Sequence, residues 1–288
     1  MARPRISQPS LNDPADCTPV PTGLAFILCG RLRVTGWCRC ARVVRNSFNM
    51  DQLSTMIISH ARRFIFLKTQ KCAGTSVELA LSQICGPDDV ITPVSEEDEA
   101  LRRTMGRGAQ NWEIPPIYRP FDWRMRQALG FRTSWVGSSY YNHMPASKLR
   151  RSMPRELFDS YHKVTIVRNP WDREVSLYFW RYRKNATRPP FENFVRLPRF
   201  RPTRKTFDLY TIDGRIVADT VFRYETLQED LGRFIKTLGL SKELALPRAK
   251  SSHRKKAARN YREFFSASTK SIVARRYANE IKAFGYEF

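Results

Sequence analysis

Residues 64–84 restrict the fold of this chain more than any other stretch. Phe64-Ile-Phe-Leu67 is a short apolar and aromatic run that suits a buried strand. Lys68 to Gly74 is a polar loop with two lysines and one glycine, and Thr75 to Ile84 then carries Val77, Leu79, Ala80, Leu81 and Ile84 close to helical spacing. A strand, a tight loop and a helix in that order aim backbone N–H groups and the positive end of a helix at an anion. Gly74 allows close approach of the backbone to a ligand. Thr75 and Ser76 offer hydroxyls from the first turn, and Lys71 adds a mobile point charge at the mouth. The local physics asks for a phosphate or a group shaped like one.

The loop is not the common nucleoside-triphosphate loop, which places glycine, lysine and serine or threonine in immediate succession. Here the order is K-x-A-G-T-S, from Lys71 to Ser76, with the lysine ahead of the glycine. A second junction of the same kind lies downstream. Lys163 to Val167 reads as a strand, and Arg168-Asn-Pro170 leads into a helix with Val175, Leu177 and Tyr178 on its apolar face. Pro170 fits the first helical turn. Ser176 then falls in the second turn, so that Arg168 and Ser176 can converge on one phosphate, the arginine by a charge-assisted contact.

Together, K-x-A-G-T-S and the later R-N-P-x-x-R-x-x-S-x-Y resemble the two-motif signature of the sulfotransferases that use 3′-phosphoadenosine 5′-phosphosulfate (PAPS). Val221 to Leu240 and Tyr261 to Tyr286 also look like segments of that family, so the resemblance runs from about Met56 to Phe288, and it is nearest to bacterial members of the carbohydrate, heparan-type O-sulfotransferase branch. The resemblance implies an α/β fold, three-layer α/β/α with a central parallel sheet and a P-loop-like site, in a single domain over 56–288. It implies a 5′-phosphosulfate loop of Lys71, Cys72, Ala73, Gly74, Thr75 and Ser76, and a 3′-phosphate site of Arg168 and Ser176. The basic run with Ser252, His253, Arg254 and Lys255 falls where family members close over the nucleotide, with a looser match. Cys72 stands where the family often has threonine or serine. The partners so implied are a nucleotide sulfate donor (PAPS, leaving PAP) and a saccharide hydroxyl acceptor, with no metal.

In-line sulfuryl transfer needs charge on the leaving phosphate and a base for the acceptor hydroxyl. Lys71 suits the first role. For the second the chain has four histidines. His60 and His162 flank strands and read as structural, and His253 lies in the basic run. His143, in Tyr140-Tyr-Asn-His143 between the two anion loops, matches the position of the family's catalytic histidine, and its ordinary pKa near 6.5 suits a base.

Elsewhere Met56 to His60 and Val90 to Thr92 read as short strands. Ser95 to Arg103 reads as a helix opened by a capping box, with glutamate at the third helical position. Residues 104–140 and 184–205 read as irregular or loop, and helices are expected near 145–151, 225–238 and 268–284. Phe207 to Val217 reads as a hairpin turning at Asp213-Gly214. Residues 1–50, proline-rich and basic, read as a disordered extension or as upstream sequence joined by a misplaced start.

Net charge is +23 across 288 residues. Such a field favours polyanionic partners: nucleic acid, anionic membrane, a nucleotide or an acidic glycan. Two other readings follow from charge and loop, a non-catalytic polyanion-binding protein and a P-loop-like kinase. The kinase lacks its Gly-Lys-Ser/Thr loop, and no nucleic-acid motif is present. Gly23 to Cys29 is too short to cross a bilayer, and the chain reads as cytoplasmic. Cys38-x-Cys40 has no partner pair at zinc-finger spacing, and Cys72 and Cys85 read as buried thiols.

Overall fold

The computed structural model describes residues 56–130, 138–197, 206–247 and 260–288. These lie in one compact unit, Phe48–Phe288. The expected N-terminal extension and the basic run with Arg254 and Lys255 fall outside the described residues.

The strands are β1 (Ile57–Ser59), β2 (Phe64–Leu67), β3 (Val90–Ile91), β4 (His162–Val167), β5 (Thr211–Ile212), β6 (Arg215–Ile216) and β7 (Thr220–Arg223). Five of them form a sheet in the order β3-β1-β2-β4-β7. β2, β4 and β7 pair in parallel, while β1 is antiparallel to both β2 and β3. The sheet is therefore mostly parallel, with β1 alone running against the other four. The turn at 60–63 is too short for a parallel crossover and forces the reversal. β5 and β6 make the expected hairpin, with Asp213 at φ 50° and Gly214 at φ 76°, both left-handed as a type I′ turn requires.

The helices are α1 (Gly74–Ser82), α2 (Glu96–Met105), α3 (Phe121–Ala128), α4 (Ala146–Arg151), α5 (Arg155–Ser160), α6 (Pro170–Arg181), α7 (Phe191–Arg196), α8 (Leu227–Thr237), α9 (Ala267–Arg276) and α10 (Ala278–Phe284). Alternate strand residues feed two cores, because successive side chains of a strand point to opposite faces. Ile57, Phe64, Phe66, Ile91, Val164, Ile166 and Phe222 pack with Val77, Ala80 and Leu81 of α1 and with Leu231, Phe234 and Ile235 of α8. Ile58, Ile65, Leu67 and Val167 pack with Leu149, Phe158, Trp171, Val175, Phe194 and Val273 on the other face.

Three expectations are corrected. The segments 104–140 and 184–205 are not irregular throughout, since they contain α3 and α7, and α5 precedes β4. α3, α4, α5 and α7 each follow directly on a proline: Pro120, Pro145, Pro154 and Pro190. A proline ahead of the first turn costs the helix no hydrogen bond, so these residues start helices rather than prevent them. The C-terminal helix is two helices broken at Tyr277 (φ −116°). The third position of α2 is Asp98, not glutamate; Ser95 Oγ accepts its N–H at 3.4 Å and donates to its carboxylate at 2.6 Å.

Candidate active site

β2 and β4 are adjacent and parallel, so the helices that follow them begin side by side at the carboxyl end of the sheet, where α/β folds bind ligands. Side chains add to the ladder here. Thr165 Oγ1 donates to the Leu67 carbonyl at 2.8 Å, and Thr69 Oγ1 donates to the Ile166 carbonyl. The loop after β2 then turns through two non-glycine residues in the left-handed region, Lys71 (φ 60°) and Ala73 (φ 59°). α1 starts directly behind Ala73, with no side-chain cap and no acidic residue in its first turn. An uncapped N-terminus with Thr75 and Ser76 in the first turn is the arrangement that an anion completes. Cys72 is fully buried, and burial raises its thiol pKa, so it stays neutral and serves packing. Cys85 is likewise a buried free thiol.

Lys68, the first residue beyond β2, carries the part of the site that the sequence reading missed. Its side chain is buried and runs across Gly74 to donate from Nζ to Thr75 Oγ1 and to Glu78 Oε2, both at 3.1 Å. Glu78 is itself fully buried and also accepts from Arg102 at 3.4 Å, and Arg102 pairs with Glu99. Two cations and two anions thus balance beneath the loop, as buried charges require. The visible signal was Glu78, a lone carboxylate inside the apolar run Val77-Glu-Leu-Ala-Leu81. Lys71 Nζ lies 5.3 Å from the centre of the Trp180 ring.

The second junction docks onto the first. Arg168 is buried and donates from Nη1 to the Lys71 carbonyl at 2.9 Å. Its Nε and Nη2 hold Asp172 at 2.8 and 2.7 Å, and its guanidinium stacks 3.8 Å from the Tyr224 ring centre. Asn169 caps α6 by accepting from the Trp171 and Asp172 N–H groups, and Pro170 is the first helical residue. Ser176 lies four residues beyond Asp172, on the same face of α6. The motif's other arginine, Arg173, points the opposite way: it is buried against Glu280 and over the Tyr277 ring, fastening α6 to the C-terminal helices.

His143 reaches the loop from the segment ahead of α4. Its Nδ1 lies 3.0 Å from the Lys68 carbonyl. A carbonyl only accepts, so Nδ1 carries the proton and Nε2 keeps the lone pair. The expected ordinary pKa is corrected: it is lowered to about 3 by burial first and then by the charge of Lys68, with the carbonyl hydrogen bond opposing and the charge of Lys71 adding least. His143 is therefore neutral throughout the physiological range. Its backbone is left-handed (φ 52°). His60 bonds Tyr161 through Nδ1 at 2.9 Å and His162 bonds Thr220 through Nε2 at 2.7 Å, both structural contacts.

The structure thus brings Lys71, Cys72, Ala73, Gly74, Thr75, Ser76, Arg168 and His143 to one end of the sheet, and puts Ser176 on the flank of α6. A family model described as the sulfotransferase family matches residues 54–287. The chain belongs to the sulfotransferase family. This sulfotransferase is also 35% identical over 106 residues to an uncharacterized protein of Archaeoglobus fulgidus, a match covering 35% of this chain and 87% of that protein. No solved structure gives a significant match. Family membership implies sulfuryl transfer from a nucleotide sulfate donor.

Proposed function

We propose that this sulfotransferase moves a sulfuryl group from PAPS to a hydroxyl of a saccharide, as a member of the heparan-type branch with a three-layer α/β/α fold. The two cores on opposite faces of the sheet support the layering. The observation that carries the functional reading is the hydrogen bond from Arg168 to the Lys71 carbonyl, which ties two strand–helix junctions together. A donor with phosphate groups at both its 5′ and 3′ positions is the ligand that uses both.

In this reading the uncapped start of α1, with Lys71, Cys72, Ala73, Gly74, Thr75 and Ser76, holds the 5′-phosphosulfate, and Lys68 fixes the Thr75 hydroxyl. Arg168 and Ser176 hold the 3′-phosphate, with Arg254 and Lys255 assigned to the same nucleotide. His143 takes the acceptor's proton at Nε2 while the oxygen–sulfur bond forms and the bond from sulfur to the phosphate oxygen breaks. Lys71 stabilises the charge that grows on that phosphate. The lysines that weaken His143 as a base are the ones a bound donor's negative charge offsets, so His143 gains basicity when the donor is present.

Incubation with radiolabelled PAPS and a panel of oligosaccharides tests the proposal. Label should pass to a saccharide hydroxyl, and Lys71→Ala should stop it. Phosphate transfer from ATP in place of sulfuryl transfer from PAPS would refute the reading.

A further inference from the structure

α3 presents an apolar face that nothing in the described structure covers. Every residue of α3 but Trp123 is exposed. Phe121, Met125 and Leu129, spaced four residues apart, are 69%, 45% and 66% exposed, and Ile117 on the preceding 3-10 turn is 73% exposed. These four account for most of the large apolar side chains exposed among the described residues; the other two, Leu101 and Ile216, stand singly on other elements. Scattered exposed apolar residues need no explanation, but a row along one helix marks a surface that meets something apolar.

The residues beside the row say what that is. At about 100° per residue, Phe121, Met125 and Leu129 span one arc of α3, and Arg124 and Arg126 fall about 100° to either side of its middle. Arg124 lies 5.9 Å from the Phe121 ring centre, and Arg119 lies over Trp123 at 5.0 Å. Asp122 is the only acid on the helix. An apolar arc with aromatic content, with Arg124 on one side and Arg126, beyond Asp122, on the other, is the pattern of a helix lying in the headgroup region of a bilayer. A second copy of the chain is a poor occupant, since two proteins of net charge +23 repel one another. Nucleic acid would use the arginines but leave the apolar row in water.

We propose that α3 docks the protein on an anionic lipid surface, with Ile117, Phe121, Met125 and Leu129 entering the acyl boundary and Arg124 and Arg126 meeting lipid phosphates. This contact is separate from the donor site and does not depend on the reaction assigned above.

Co-sedimentation of the full chain with phosphatidylcholine vesicles, with and without about 30% phosphatidylglycerol, tests it. Net charge alone gives binding that salt removes, whereas apolar insertion resists salt. The wild type should stay on the anionic vesicles at about 0.5 M NaCl, and the triple variant Phe121→Ser, Met125→Ser, Leu129→Ser should lose at least about tenfold of that salt-resistant partitioning. Thermal melting of the variant should match the wild type, because the substituted side chains support nothing beneath them. The proposal is overturned if salt releases the wild type completely, or if the triple variant stays bound as the wild type does. A dimer seen by sedimentation velocity and dispersed by the triple substitution would give the face to a second copy and overturn it as well.

Discussion

Gly74→Ala separates two reasons for a glycine at the head of α1. One is approach of the backbone to a ligand. The other is room for Lys68. A Cβ built on Gly74 would sit 2.6 Å from Cγ, 2.8 Å from Cε and 3.1 Å from Cδ of Lys68. The lysine has no easy retreat, because its Nζ is held by Thr75 and Glu78 and its stem is buried. Expelling it leaves Glu78 short of one partner in a buried setting, a loss of about 3–5 kcal/mol when such a pair is broken. The backbone of Gly74 is helical, so alanine returns up to about 1 kcal/mol in helix propensity. The net expectation is a destabilisation of about 2–4 kcal/mol, or roughly 4–16 °C in Tm for a domain of this size. Thermal and urea unfolding of the ligand-free protein measure it. Repeating the substitution on Lys68→Ala closes a double-mutant cycle, in which the cost of Gly74→Ala should vanish. A ligand-free Gly74→Ala protein as stable as the wild type, weakened only in nucleotide binding, would refute the argument from Lys68.

The remaining predictions concern His143 and Arg168. His143→Ala should lower kcat by about 10²–10⁴ and leave PAP affinity within a few-fold, measured by turnover and titration. The folded pKa of His143 lies near 3, below the unfolded value, so between about pH 6.5 and 3 the unfolded chain binds the extra proton. Stability is therefore lost as pH falls through that window, and His143→Ala should flatten this part of the unfolding profile. By the same shift, kcat/KM for the donor, which reports the ligand-free enzyme, should show no acidic limb near pH 6.5 from this residue. Arg168→Ala should weaken PAP binding and also lower ligand-free stability by about 1.5–3 kcal/mol, because the guanidinium holds the Lys71 carbonyl and Asp172 before any ligand arrives.

The two anion junctions were legible because their chemistry is local. A strand, a basic polar loop and a helix occupy neighbouring residues, and both junctions formed where the spacing put them. What was not legible depends on distant partners. Glu78 meets Lys68 and Arg102 from 10 and 24 positions away, and Arg173 meets Glu280 across 107. His143 owes its weakened basicity to burial and to lysines in a loop whose Lys68 carbonyl it bonds from 75 positions away. Proline misled the reading in a different way. The prolines of 104–140 and 184–205 suggest loop by composition, yet Pro120 and Pro190 stand where a helix begins.

The most direct test of the account is calorimetric titration of the wild type with PAP, with adenosine 5′-phosphate and with ATP. PAP should bind about 10–100-fold more tightly than adenosine 5′-phosphate, the worth of one charge-assisted contact to the 3′-phosphate, and Arg168→Ala should erase that difference. Equal affinity for PAP and adenosine 5′-phosphate, or preferential binding of ATP with magnesium, would contradict the assignment of the loop and Arg168 to a PAPS-type donor.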